Sequence, residues 1–197
     1  MTLISEPVRA ELAAAYKAPD RHYHDLRHIK TLLGLTDACA DAITDRDAVE
    51  AAIWFHDAIY DTRRNDNEER SAALAAVRLA GTTDEARVAQ IAAMIRATAG
   101  HAIPHFADDA AGRDCAVFLD MDLAILGSAA AEFDAYEAGV RREYDWVIEP
   151  QWKVGRRAVL AAFLERPAIY ATARFQASHE AAARRNLTRA IARLDRA

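Results

Sequence analysis

Hydrophobic residues recur along this chain at intervals of three and four positions, the spacing that lines one face of an α-helix. No stretch combines strict alternation of polar and apolar residues with an enrichment in β-branched side chains, so no sheet is predicted. Glycine, proline or a capping residue stands at the breaks in the helical pattern. The predicted helices cover about 5–16, 24–43, 47–60, 67–80, 84–98, 110–126, 129–146, 151–165 and 174–195. We therefore predict an all-α fold.

The composition narrows the class of protein. A chain of 197 residues with 52% hydrophobic and 28% charged residues is long enough for one sizeable core, and we expect a single domain over 1–197. The net charge of −5 argues against a protein that binds a nucleic-acid polymer. No apolar run has membrane-spanning length and no signal peptide is recognised, so a cytoplasmic location without membrane attachment is expected. Cys39 and Cys115 form no CxxC pair and are expected to be reduced packing residues.

An adjacent histidine and aspartate, His56 and Asp57, lie in one of the most apolar stretches of the chain, residues 53–61. A carboxylate in such surroundings is costly unless it is paired, hydrogen-bonded or bound to a metal. Imidazole and carboxylate are both ligands for divalent ions. Neighbouring residues on a helix diverge by about 100°, however, so the pair alone is more often a hydrogen-bonded core histidine beside a capping aspartate.

Two further helical segments carry residues of the same chemistry. His24 and His28 are four positions apart and are predicted to share one face of a helix, and Asp120 and Asp122 interrupt the apolar run 117–126. Two imidazoles and two carboxylates from three helices would form a site for Mn²⁺, Fe²⁺, Co²⁺, Zn²⁺ or Mg²⁺ without any thiolate. The presence of all three segments in one helical chain favours a metal site over three separate structural roles.

The order His28, His56-Asp57, Asp122 resembles the H…HD…D signature of the HD-domain metal-dependent phosphohydrolase superfamily. The wider chain resembles the small bacterial branch of predicted metal-dependent HD phosphohydrolases. The similar segments are 23–29, 54–61, 66–72, 95–98 with His101, 118–127, 141–144 and 183–187. The resemblance implies a single-domain HD-type helical bundle, with the core signature in 20–127 and the C-terminal helices 128–197 packing on it.

The resemblance also implies a ligand set. His28, His56, Asp57 and a final aspartate would hold one divalent metal ion. The family pattern at the final ligand favours Asp122 over Asp120, which would then support it.

The activity implied is that of a metal-dependent phosphohydrolase, which uses a metal-activated water on a small phosphorylated metabolite, with a nucleotide favoured. Asp61 and Glu68 are the candidate acid or base; Asp61 could equally be an exposed carboxylate at a helix end, and Glu68 a first-turn residue. Segment 56–62 resembles that of guanosine-tetraphosphate-hydrolysing HD enzymes, but Tyr60 stands where they have glutamate, so that substrate is not supported. The candidate substrate-binding residues are His24, Arg27, Arg96, His101 and Arg141.

Two other functions stay open on the residues alone. His24 and His101 could help to bind a second metal, as in a di-iron HD oxygenase. A non-catalytic all-α binding module could instead keep its metal for structure only. The aromatic residues of the C-terminal part are predicted to be core packing, with a homodimer interface as the alternative.

Overall fold

The computed structural model describes residues 3–196, and this part of the chain is all-α, as predicted. The α-helices are α1 (Glu6–Ala15), α2 (Leu26–Ala38), α3 (Arg46–Phe55), α4 (Asn67–Leu79), α5 (Glu85–Ala97), α6 (Asp109–Asp122), α7 (Ala130–Glu143), α8 (Glu149–Leu164) and α9 (Ala173–Leu194). Short 3₁₀ helices cover Ala40–Ala42 and Leu123–Gly127. Among the described residues, no helix combines the length and the apolar character needed to cross a bilayer.

The chain divides after Met121 into two compact units, and a single domain over 1–197 stays a prediction. In the first unit α3 is the central helix, and it packs against α1, α2, α4 and α5. Val49, Ile53 and Phe55 are buried, as are most of the other residues of α3, because a helix that is apolar on nearly every face must be covered by neighbours. The residues that directly follow α3 therefore leave the helix inside the core.

The second unit is arranged around the 3₁₀ helix Leu123–Gly127, which packs against α7 and α9, while α8 packs against α9. The Asn186 amide donates hydrogen bonds to the carbonyl oxygens of Leu126 and Ser128, at 2.9 and 3.0 Å. The Tyr170 hydroxyl donates to the carbonyl oxygen of Leu123 at 3.1 Å. Side chains thus satisfy the backbone acceptors of this turn, which a short helix cannot satisfy by itself.

Two helix boundaries differ from the prediction and both affect the candidate site. α2 begins at Leu26, because the Asp25 carboxylate accepts the backbone N–H groups of Arg27 and His28 as a cap. His24 therefore lies before the helix, and the prediction that it shares a helical face with His28 is wrong. α3 ends at Phe55 and not near residue 60, so the His-Asp pair follows the helix and is not inside it.

Candidate metal centre

Three side chains from separate helical segments converge in the structure. His28 lies in the first turn of α2, His56 directly follows α3, and Asp122 is the last residue of α6. One ligand atom from each lies within 4.8 Å of the other two. The two histidines are buried and Asp122 is half-buried. This His-His-Asp group could hold a metal ion, and it contains Asp122, not Asp120.

The two imidazoles face each other through their Nε2 atoms, which are 3.2 Å apart. His56 Nδ1 lies 2.9 Å from the carbonyl oxygen of Ile53. A carbonyl can only accept, so this hydrogen bond assigns the proton to Nδ1 and leaves the Nε2 lone pair of His56 available as a ligand. The donor set fits a divalent ion: two nitrogens each about 2.1 Å from one ion can be no more than about 4.2 Å apart, and the observed separation lies within that limit.

Asp57 adds a second carboxylate beside the histidines. Its Oδ2 lies 3.0 Å from His56 Nε2 and 3.9 Å from His28 Nε2, although Asp57 is not a member of the group in which every donor lies within 4.8 Å. Burial by itself would raise the pKa of Asp57, but the charges of His56, His24 and His28 in their protonated forms, with a hydrogen bond from the His56 imidazolium, outweigh it and hold the pKa well below its usual range. The carboxylate is therefore ionised near neutral pH, the form in which it can bind a metal.

The two predicted acid-base residues lie in the connection after α3 and at the start of α4. Asp61 is exposed, and its Oδ1 accepts the backbone N–H of Arg63 at 2.9 Å. The amide side chain of Asn67 bonds both backbone groups of Asp61, which gives the connection a defined turn. Glu68 is half-buried in the first turn of α4. Their proton-transfer role stays a prediction.

The predicted substrate-binding residues are in different surroundings. The His24 ring is half-buried, with its centroid 4.5 Å from that of Tyr60 and 6.1 Å from that of His28. Arg27 is exposed and pairs with Asp25 at 2.8 Å. The His24 ring thus contacts the histidine cluster through His28.

The other three predicted substrate-binding residues are Arg96 in α5, His101 in the connection after α5, and Arg141 in α7. Arg96 makes two hydrogen bonds to Glu69, at 2.6 and 2.9 Å. His101 follows α5 and has a positive φ of 46°, a backbone conformation that is uncommon outside glycine. Arg141, in the second unit, donates to the carbonyl oxygens of Tyr144 and Val147 and so stabilises the turn after α7. Binding of substrate by these residues stays a prediction.

Sequence reasoning missed one residue close to this cluster, Arg21. Its buried guanidinium donates to the carbonyl oxygens of His24, Asp57 and Ala58. Backbone acceptors leave no pattern of side-chain types, so the sequence offers no more than an arginine close to the histidine-rich segment.

No protein-family model, curated protein or solved structure matches this chain.

Proposed function

We propose that this protein is a divalent-metal-dependent phosphohydrolase of the HD type that acts on a small phosphorylated molecule, with a nucleotide as the favoured substrate. The observation that carries the proposal is the convergence of His28, His56 and Asp122, with Asp57 against both imidazoles. The order of these four residues along the chain is the one that resembles the HD signature. The resemblance uses the order of the residues, and the geometry uses their positions in the fold.

The residues of the cluster have distinct tasks in the proposed reaction. His28 and His56 supply neutral nitrogen donors, and the Ile53 carbonyl keeps the His56 ring in the orientation that presents Nε2. Asp57 and Asp122 supply negative charge that balances a dication. When bound, a divalent ion would supply Lewis acidity toward a phosphoryl oxygen and activate the attacking water.

We assign proton transfer to Asp61 or Glu68, and isosteric substitutions would show which of the two carries it out. Asp61→Asn keeps an oxygen that can accept the Arg63 N–H, so it removes the charge while it retains the turn. Glu68→Gln removes the charge in the first turn of α4 and keeps the size of the side chain. Loss of general acid-base catalysis typically lowers a rate by about 10²–10⁴-fold, so the residue that does this work should be evident in kcat.

The contacts of the predicted substrate-binding residues indicate which of them is best placed to bind a phosphate. Arg96 and Arg141 already bond a carboxylate or backbone carbonyls, so each would have to exchange partners to bind a phosphate. His24 contacts the cluster through Tyr60 and His28. We therefore assign the first substrate contact to His24.

The test combines metal binding with a panel of phosphorylated metabolites. Purified protein should bind about one equivalent of Mn²⁺ or Co²⁺ by titration calorimetry and release phosphate or pyrophosphate from at least one nucleotide. His56→Ala and Asp122→Asn should abolish both, whereas His105→Ala, at an exposed histidine, should change neither. Full activity in His56→Ala would falsify the proposal.

The second candidate function, a two-metal oxygenase, is favoured by one observation, the His24 ring 6.1 Å from that of His28. It requires two equivalents of iron per chain and oxygen consumption by the iron-loaded protein. A single equivalent without oxygen consumption excludes it. One tightly bound metal with no hydrolysis across the panel would instead support the non-catalytic module.

A further inference from the structure

Arg21 is buried in the connection between α1 and α2, with 9% of its surface exposed. Arginine is almost never buried to this extent unless its donors are paired. Here the guanidinium donates to three carbonyl oxygens: Nη1 to those of His24 and Asp57, at 2.9 and 2.8 Å, and Nη2 to that of Ala58 at 3.1 Å. The planar group thus bridges two segments that are more than thirty residues apart in the sequence.

Two aromatic rings lie close to the guanidinium. Its central carbon lies 4.9 Å from the ring centroid of Tyr16 and 5.3 Å from that of Tyr60, distances at which a cation is attracted to a ring face. Tyr16 is itself held, because its hydroxyl donates to the Trp54 carbonyl at 3.0 Å and its own carbonyl accepts the Leu26 N–H at 3.2 Å. The guanidinium is therefore held by three carbonyl acceptors and by contacts with two aromatic rings.

The three acceptors flank the histidines of the candidate metal centre. His24 lies just before α2, which carries His28 in its first turn, and Asp57 and Ala58 directly follow His56. Carbonyls beyond the end of a helix have no partner within it, and a cation there also interacts favourably with the helix dipole. Arg21 therefore joins the start of α2 to the end of α3 at the point where each presents an imidazole.

We propose that Arg21 is a positioning residue that sets the separation of the two imidazoles and the Asp57 carboxylate, and so sets the metal affinity of the centre. This inference rests on the proposed metal centre, and Arg21 itself contacts neither the ion nor the substrate. Lysine could not replace it, because a single ammonium group has neither the planar fork that reaches three carbonyls nor a flat face for the two rings.

The test compares Arg21→Lys and Arg21→Met with the matched control Arg87→Met. Arg87 makes two hydrogen bonds to Asp45, which caps the opposite end of α3, in the same unit. The dissociation constant for Mn²⁺ is measured by titration calorimetry well below the Tm of each variant. Outer partners of metal ligands typically contribute about 10–100-fold in affinity, so both Arg21 variants should bind at least about tenfold more weakly. Arg87→Met should lower the Tm and leave the dissociation constant within about twofold.

A second readout, hydrogen exchange of the metal-free protein, separates this inference from the proposed function. The Leu26 and Ala58 amides, which bond the carbonyls of Tyr16 and Phe55, should exchange at least about tenfold faster in Arg21→Lys than in wild type. They should stay protected in His56→Ala, which removes a ligand but leaves the arginine in place. If wild type binds no metal, the proposed function fails, and accelerated exchange in Arg21→Lys still supports the bridge between the two segments.

Two results would overturn the role proposed for Arg21. A merely structural arginine would lower the Tm of Arg21→Lys with no change in the Mn²⁺ dissociation constant. Wild-type exchange at both amides in Arg21→Lys would show that the two segments hold their positions without the guanidinium. If Arg21→Met does not fold, Arg21→Lys alone decides.

Discussion

Replacing Asp114 with alanine should destabilise the protein by about 4 kcal/mol, although no ligand or catalytic group is touched. Asp114 lies in α6, and 1% of its surface is exposed. Its Oδ1 accepts the backbone N–H of Thr44 at 2.8 Å, and its Oδ2 accepts that of Asp45 at 2.7 Å. Since these two residues lead directly into α3, the carboxylate ties α6 to the start of the central helix.

The magnitude follows from the two N–H groups. A hydrogen bond to a charged acceptor contributes about 1.5–3 kcal/mol, so the loss of both in Asp114→Ala gives about 4 kcal/mol. Asp114→Asn keeps one acceptor oxygen but directs an NH₂ group at the second N–H. Asp114→Asn therefore loses one hydrogen bond to a charged acceptor, which costs about 1.5–3 kcal/mol. This loss is partly offset because the variant no longer buries a charge. We expect about 2 kcal/mol for this variant.

Urea denaturation followed by far-ultraviolet circular dichroism measures both losses. The control is Asp108→Asn, just before α6, where an exposed carboxylate accepts a single N–H from Ala110 at 2.9 Å. This change should cost under about 1 kcal/mol. The predicted order is therefore Asp114→Ala, then Asp114→Asn, then the control. If Asp114→Ala costs no more than the control, the two N–H groups find other partners and the reasoning is refuted.

Three further predictions concern single residues. Gly127→Ala should cost about 1–3 kcal/mol in thermal unfolding, because a Cβ there would lie 2.8 Å from a carbonyl oxygen of α9, whereas Gly155→Ala, with open space in α8, should stabilise by up to about 1 kcal/mol. Burial raises the pKa of Asp45, but the hydrogen bonds from Arg87 and from the α3 backbone outweigh it and lower that pKa below 3.8. The difference in unfolding free energy between wild type and Asp45→Asn should therefore be constant above about pH 5 and disappear as the pH falls through the pKa of Asp45 in the folded protein. A difference that grows in acid would contradict this. Burial raises the pKa of Cys115 to about 12, so peptide mapping should find that thiol labelled in urea but not in the folded protein.

The helices could be predicted from the sequence because their apolar faces are long and regular. α4 and α5, for example, were expected over about 67–80 and 84–98 and are found at Asn67–Leu79 and Glu85–Ala97. The prediction of a helix boundary fails at the end of α3. The apolar pattern continues through Ile59, so periodicity alone extends α3 beyond the residue at which it ends.

The candidate site shows the same division. The group of His28, His56 and Asp122 could be predicted because imidazole and carboxylate side chains are specific residue types in a recognisable order. The Arg21 bridge was missed because its partners are three backbone carbonyls, and every residue has one. The sequence reveals which side chains carry chemistry more readily than what holds them in place.

The early end of α3 removes the main objection to a histidine and an aspartate in adjacent positions. On a continuous helix their side chains would diverge by about 100°, but α3 ends at Phe55, and Asp57 Oδ2 lies 3.0 Å from His56 Nε2. The same helix end provides the Ile53 carbonyl, one of the last four of α3, which accepts the Nδ1 proton of His56. In a longer helix the same carbonyl would also accept the backbone N–H of Asp57. The end of α3 thus orients the candidate ligand His56, with the Asp57 carboxylate beside it.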